Sequence, residues 1–130
     1  MIIAACVDEA MGLQFNHRRQ SRDRALMEEL LRMAGGRLRM SEASGRLLPE
    51  GGAYLGADYL CAAQLGDWCF CEDCAYLEEA DAIEAIVLFQ WNRTYPADLW
   101  FRFPGDWKMT QSREFAGSSH EKITVEVYTK

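Results

Sequence analysis

Six consecutive apolar residues, Ile2-Ile3-Ala4-Ala5-Cys6-Val7, set the strongest constraint on what this 130-residue chain can fold into. A run that short is a strand, and a strand without polar alternation is buried on both faces. A sheet buried on both faces needs a covering layer on each side, and helices joined to a largely parallel sheet supply it. A second run, Ala85-Ile86-Val87-Leu88-Phe89-Gln90-Trp91, repeats the demand.

Local signals place the other elements. Ser21 reads as the N-cap of a helix over Arg22–Ala34, with Met27, Leu30, Leu31 and Ala34 as its apolar stripe and Gly35-Gly36 as its stop. Arg37–Ser41 alternates and reads as a short strand, Ser44–Leu48 as a turn of helix, and Pro49–Gly52 as a loop. Tyr54-Leu55 is a brief strand, Asp58 caps a helix through Leu65, Trp68–Cys71 is a third buried strand, and Ala75–Ala80 is a short helix. Ile83–Trp91 holds the most apolar strand. Trp100–Phe103 is extended, a strand runs from Asp106-Trp107 to Phe115, and Ile123–Tyr128 closes the chain. Strands separated by helices run parallel, and strands joined directly run antiparallel. The expected object is one α/β domain over residues 1–130. It has a mixed, mainly parallel sheet with helices on both faces and an antiparallel C-terminal hairpin.

Charge narrows the function. The net charge of −6 argues against broad, non-specific nucleic-acid binding, which needs a basic surface. The distribution is uneven: residues 17–24 are basic, whereas residues 72–84 carry Glu72, Asp73, Glu78, Glu79, Asp81 and Glu84. The apolar runs are too short to span a membrane, and Met1 leads into the first strand with no basic leader. Five cysteines, an odd number, fit a reducing compartment, so a cytoplasmic location is expected. Nothing in the sequence sets the number of subunits.

Several residues carry chemistry. Asp23 stands four residues before Met27, at the upper end of the helix stripe. It is a candidate ligand-binding or acid/base group, or else a helix-terminal acid favoured by the dipole or paired with Arg18 or Arg22. Asn16, His17, Arg18, Arg19 and Arg22 precede or open the helix, where guanidinium forks and free N–H groups favour phosphate or carboxylate. The alternative for these cations is solvated pairing with the acidic segment. Trp91, Asn92 and Arg93 end the longest strand on the side where open α/β sheets bind ligands, although a buried Trp followed by a turn Asn is the simpler account. His120 follows Ser118-Ser119, and only geometry can make a catalytic unit of such a loop. Cys69-x-Cys71-x-x-Cys74 lacks the second cysteine pair of a structural zinc site, so buried apolar thiols and no metal are expected.

Two stretches, IIAACVDEAMG…RDRALMEELL and AIVLFQWNRTYPADLWFRFPGDWKMTQSREF…KITVEVYTK, resemble dihydrofolate reductase, and DYLCAAQLGDWCFCEDCAYL between them is similar to that family's helix, buried strand and cofactor helix. The resemblance implies that Asp23 corresponds to the carboxylate that binds the pterin. The departures concern the cofactor. Cys71-Glu72-Asp73 stands where the family has the Gly-Gly that lets backbone approach the NADPH diphosphate. Ser41-Glu42-Ala43-Ser44 replaces the Gly-Arg-x-Thr turn, and between Gly52 and Ala57 there is no room for the segment that reads the ribose 2′-phosphate. Arg18-Arg19-Gln20-Ser21 replaces the Pro-Trp before the acid.

The expected protein is therefore a shortened dihydrofolate reductase-like fold with no cofactor and no NADPH-dependent reduction. It binds a small anionic or heterocyclic ligand, nucleotide- or pterin-like, in a crevice beside Asp23. The alternative is an RNA- or protein-binding regulatory module, or a metal-free nuclease, using Arg18 and Arg19. A zinc nuclease of the ribonuclease Z type is excluded, because its His-x-His-x-Asp-His cluster cannot be assembled from His17 and His120 alone.

Overall fold

The computed structural model describes residues 1–49 and 51–130. In chain order the elements are β1 (Ile2–Val7), β2 (Gly12–Phe15), β3 (Arg18–Arg19), α1 (Arg24–Ala34), β4 (Leu38–Met40), α2 (Glu42–Gly45), β5 (Tyr54–Leu55), β6 (Trp68–Phe70), a 3-10 segment (Ala75–Ala82), β7 (Ala85–Gln90), β8 (Leu99–Trp100), β9 (Lys108–Phe115) and β10 (Ile123–Thr129). The main sheet has seven strands in the order β5-β4-β6-β1-β7-β10-β9. Pairing is parallel from β5 to β7 and antiparallel for β7–β10 and β10–β9. The chain is thus a mixed α/β protein with a mostly parallel sheet, an antiparallel C-terminal pair and few helices.

The two apolar runs lie where their composition demands. β1 and β7 are the central parallel pair, in register from Ile2↔Ala85 to Val7↔Gln90. Successive side chains go to opposite faces. Ile3, Ala5, Val7, Ile86 and Leu88 build one core, while Ala4, Val87 and Phe89 join Leu26, Met27, Leu30 and Ala34 of α1 in the other. Burying each large side chain contributes about 1.5–3 kcal/mol.

Among the described residues α-helix covers one face of the sheet. The other is closed by Tyr59, Leu60, Tyr76 and Phe101, with Tyr76 stacked on Phe101 at 4.9 Å between ring centroids. The expectation of helices on both faces is corrected accordingly. Asp58–Leu65 forms turns rather than a helix. The Asp58 carboxylate accepts from the Tyr54 hydroxyl at 2.5 Å instead of capping, and a segment that short nucleates poorly without a cap. The helix expected over Ala75–Ala80 is a 3-10 segment to Ala82, interrupted by non-helical backbone at Glu79. The turn of helix expected at Ser44–Leu48 lies earlier, as α2, because Ser41 accepts from the Ser44 N–H. The expected Pro49–Gly52 loop includes Glu50, outside the described residues. Helix α1 starts two residues later than expected. Its cap is Asp23, which accepts the Leu26 N–H, and not Ser21. Gly35 ends it in the left-handed conformation, φ 59°.

A small second sheet, β3-β2-β8, includes Trp100 of the expected extended stretch but not residues 101–103, and its strands β2 and β3 carry no sequence signal. Its β2–β3 connection is a two-residue hairpin with Asn16 and His17 at φ 52° and 61°. Positive φ at both central residues is the type I′ signature, for which Asn is well suited. This hairpin hangs from a turn made by Asp8, whose Oδ1 accepts the Ala10 and Gly12 N–H groups at 2.9 and 2.7 Å.

Gly12 is packed against that turn. A Cβ there would lie 2.5 Å from Gln20 Nε2, 2.9 Å from Ala97 Cβ and 3.0 Å from Asp8 Oδ1. Gly12→Ala is expected to destabilise the protein by about 1–3 kcal/mol through overpacking. The urea midpoint should fall with an unchanged m-value, and a midpoint equal to wild type would show that this turn is slack.

Candidate functional site

Two buried carboxylates organise the region at the carboxyl end of β1. Asp8 is fully buried, and its Oδ2 accepts from Gln20 Nε2 at 2.9 Å and from the Tyr95 N–H at 3.0 Å. Burial raises its pKa, but donation from Tyr95, Gly12, Gln20 and Ala10 outweighs burial and leaves it below the usual value. Asp8 thereby fixes Gln20, and with it Ser21, on one side and Tyr95 on the other.

Asp23 is saturated more completely. Its carboxylate accepts from the backbone N–H of Leu26, Ser118, Ser119 and His120 at 2.9–3.1 Å. The Ser118 and Ser119 hydroxyls and His120 Nδ1 lie at 3.0, 3.2 and 3.0 Å. The Ser118 hydroxyl also accepts from the Arg24 and Ala25 N–H groups, so the free N–H groups of the first turn are satisfied. Burial again raises the Asp23 pKa, and the donors from Ser118, Ser119, His120 and Leu26 more than reverse it, holding the acid far below the ordinary carboxylate range. The carboxylate has no exposed surface. Its acceptor capacity is spent within the chain, so Asp23 meets the cleft as an orienting group rather than as a free ligand for a bound molecule.

His120 is what Asp23 orients. Its ring is buried and stacked on Trp91, with centroids 4.5 Å apart and planes at 26°. Because ionised Asp23 only accepts, a neutral His120 carries its proton on Nδ1. That leaves the Nε2 lone pair facing two hydroxyls, Ser21 Oγ at 3.1 Å and Tyr95 Oη at 3.0 Å.

The arginines divide into two kinds. Arg19 makes a two-pronged ion pair with Glu72, 2.7 and 2.9 Å, and Glu72 also accepts from the Ser44 hydroxyl at 2.6 Å. Hydrogen bonding to Glu72, aided by its charge, lifts the Arg19 pKa against the effect of burial. Arg18, Arg22, Arg24 and Arg46 remain exposed. All four line an open cleft of about 1420 Å³ between α1 and α2, together with His17, Ser21 and an apolar wall that includes Met27, Leu31, Leu47 and Leu48.

The structure therefore brings together Asp23, His120, His17, Arg18, Arg22 and Trp91, the last behind His120. It does not bring Asn16, Asn92 or Arg93 to the cleft lining. Asn16 is a hairpin turn residue whose N–H donates to Asp98. Asn92 has positive φ, and its amide donates to the Lys122 carbonyl and Thr124 hydroxyl. Arg93 is an exposed turn residue whose carbonyl accepts the Glu9 N–H. Arg24, part of the basic run seen in the sequence, joins the lining, and Ser21, Tyr95, Arg46, Ser44 and Glu72 are additions from the structure. Ser21 is masked in the sequence by its resemblance to a cap, and the other four come from distant segments.

Among the described residues no three His, Cys, Asp or Glu side chains converge as a metal site. Cys69 and Cys71 are buried, and burial raises both thiol pKa values, that of Cys69 to about 11. No helix of the described residues is long and apolar enough to cross a membrane.

The chain matches no family model and no curated protein.

The depressed pKa of Asp23 has a definite sign. An acid whose pKa is lowered by folding stabilises fully above its unfolded value, near 3.8, and loses that contribution as the pH falls through the depressed folded value. Asp8 acts in the same direction. Asp23→Asn should cost about 2–4 kcal/mol at neutral pH, because an amide cannot accept at both positions. Its stability should also vary less with pH below about pH 4 than that of wild type. Parallel acid titrations of unfolding would contradict this if the two curves keep the same slope.

Proposed function

We propose that the cleft beside Asp23 binds a small anionic molecule with a planar or heterocyclic body, nucleotide- or pterin-like, on a shortened dihydrofolate reductase-like fold that no longer grips NADPH. The observation that carries this reading is the lining itself. The guanidinium groups of Arg18, Arg22, Arg24 and Arg46, which make no ion pair among the described residues, share the lining with an apolar wall of Met27, Leu31, Leu47 and Leu48 and with the acids Glu28, Asp73 and the Arg19-bound Glu72. Guanidinium forks suit phosphate or carboxylate, and the wall suits a ring.

Support for the fold relation comes from features that the resemblance leads one to expect. β1 runs into Asp8-x-x-x-Gly12, the first helix begins at an acid beside the cleft, a buried strand occupies the middle of the chain, and the last two strands pair antiparallel. The cofactor is another matter. Past β6, where a diphosphate would need a close backbone, the Glu72 carboxylate projects into the cleft lining and is pinned there by Arg19 and Ser44. These residues do not fit a diphosphate, and no reductive step is assigned.

The alternative that uses Arg18 and Arg19 on RNA is weaker. Neighbouring strand residues point to opposite sides, and Arg19 is already neutralised by Glu72. One exposed arginine of the pair remains.

A thermal-shift screen with nucleoside phosphates, carboxylated pterins, NADPH and short RNAs tests the proposal. The first two classes should raise the melting temperature, with a gain of about 2.7 kcal/mol at a hundredfold excess over Kd. Combined Arg22→Ala and Arg46→Ala should weaken binding about tenfold or more, the loss of about 1.4 kcal/mol or more of charge-assisted contact. Strongest stabilisation by NADPH would defeat the cofactor argument. Stabilisation by RNA alone, with steep salt dependence, would assign the cleft to nucleic acid.

A further inference from the structure

We infer that Ser21, His120 and Asp23 form a nucleophile–base–orienter triad, and that this chain transfers acyl groups from esters through Ser21. The three residues come from two segments about a hundred positions apart, yet they meet in the required order. Ser21 Oγ lies 3.1 Å from His120 Nε2, and His120 Nδ1 lies 3.0 Å from Asp23 Oδ2. These distances are those at which a hydroxyl is activated by an imidazole held in one tautomer by a buried carboxylate.

The surroundings match the roles. Ser21 lines the open cleft and is partly exposed, whereas His120 and Asp23 are sealed behind it. The imidazole cannot flip or tilt freely, because Trp91 covers its face and Asp23 holds both its Nδ1 and its backbone N–H. The carboxylate that does this is itself fixed by Leu26, Ser118 and Ser119. A helix cap needs none of the ring geometry, and Ser21 caps nothing, since the cap of α1 is Asp23.

The chemistry balances with water as co-reactant. A lone pair of Ser21 Oγ attacks the ester carbonyl carbon as the Ser21 proton passes to Nε2, and the carbonyl π electrons move to oxygen. The C–O bond to the leaving group then breaks, and the Nε2 proton goes to the departing alkoxide, leaving acyl-Ser21. Water gives a proton to Nε2, adds to the acyl carbon, and expels Ser21 Oγ, which takes the proton back. The N–H groups of Arg24, Ala25 and Leu26 are already spent on Ser118 and Asp23. Stabilisation of the oxyanion is assigned to the guanidinium groups that line the cleft with Ser21, Arg18 and Arg22 among them. Tyr95 Oη competes with Ser21 for Nε2, which makes it a restraint on the base. The substrate class, an ester carrying a carboxylate or phosphate, rests on the reading of the cleft given above. The nucleophile assignment does not.

The test uses an uncharged alkyl fluorophosphonate on the purified full chain, with peptide mapping of the adduct. One adduct on Ser21 is expected, with loss of fluoride, and it should vanish in Ser21→Ala. Tyr95→Phe should raise the labelling rate about two- to tenfold by freeing Nε2, a change that a purely structural hydrogen bond would not produce. Labelling no faster at Ser21 than at exposed Ser118, in protein that melts normally, overturns the triad. So does labelling that persists unchanged in Ser21→Ala. A second arm compares p-nitrophenyl acetate with the p-nitrophenyl hemiester of succinate. A preference of about tenfold in kcat/KM for the anionic ester, lost in Arg18→Ala with Arg22→Ala, supports the substrate class. Turnover of both esters at equal rates overturns that class and leaves the Ser21 assignment standing.

Discussion

The structure turns on one carboxylate. Asp23 sits where α1 presents its unsatisfied N–H groups and where the loop before β10 turns back over the sheet. It serves both, capping Leu26 and collecting the N–H groups of Ser118, Ser119 and His120. A buried acid without such donors would be costly, and the same donors without an acid would be left unpaired. The fit is close enough to dictate a distant residue. A Cβ on Gly117 would lie 2.6 Å from Asp23 Oδ2 and 2.5 Å from the His120 carbonyl, so the loop can approach only with glycine there. In this way a carboxylate ties the first third of the chain to the loop before its last strand, in addition to the buried core that Leu26, Met27 and Leu30 share with Ile123 and Val125.

Asp8 repeats the device at the end of β1. It gathers a turn, Gln20 and the Tyr95 N–H around one buried acid, and so sets the two hydroxyls of Ser21 and Tyr95 against the ring that Asp23 orients. Glu72 is a third case, clamped between Arg19 and Ser44. These three acids do structural work inside the molecule. Among the described residues they leave Arg18, Arg22, Arg24 and Arg46 without an ion pair at the cleft, so a chain of net charge −6 still presents guanidinium groups there, alongside the carboxylates of Glu28 and Asp73.

The legibility of the sequence follows the range of the forces. Ile2–Val7 and Ala85–Trp91 announce buried strands because burial on both faces leaves a direct mark on composition, and they became the paired centre of the sheet. The α1 stripe and its Gly35 stop are also local patterns. The β2–β3 hairpin escaped because its turn is Asn16-His17 rather than a glycine pair. The Asp58–Leu65 turns escaped because Asp58 spends its carboxylate on Tyr54. At the site, Asp23, His120 and the basic run stand out by residue type. Nothing local distinguishes Asn92, a turn residue bonded to Lys122 and Thr124, from a ligand-reading amide, nor Ser21 from a cap.

The sequence by itself determined the two-faced sheet, the one amphipathic helix and the uneven charge, since each is written in residues close together in the chain and is enforced by burial or by the lack of it. Only the tertiary structure decided which polar groups face one another. The meeting of Ser21, His120 and Asp23, and the pairing of Arg19 with Glu72 while Arg18 stays exposed, depend on strand order and on loops closing over the sheet. Hydrogen-bond partners are chosen over a few ångströms in space, and a one-dimensional pattern carries no record of that distance.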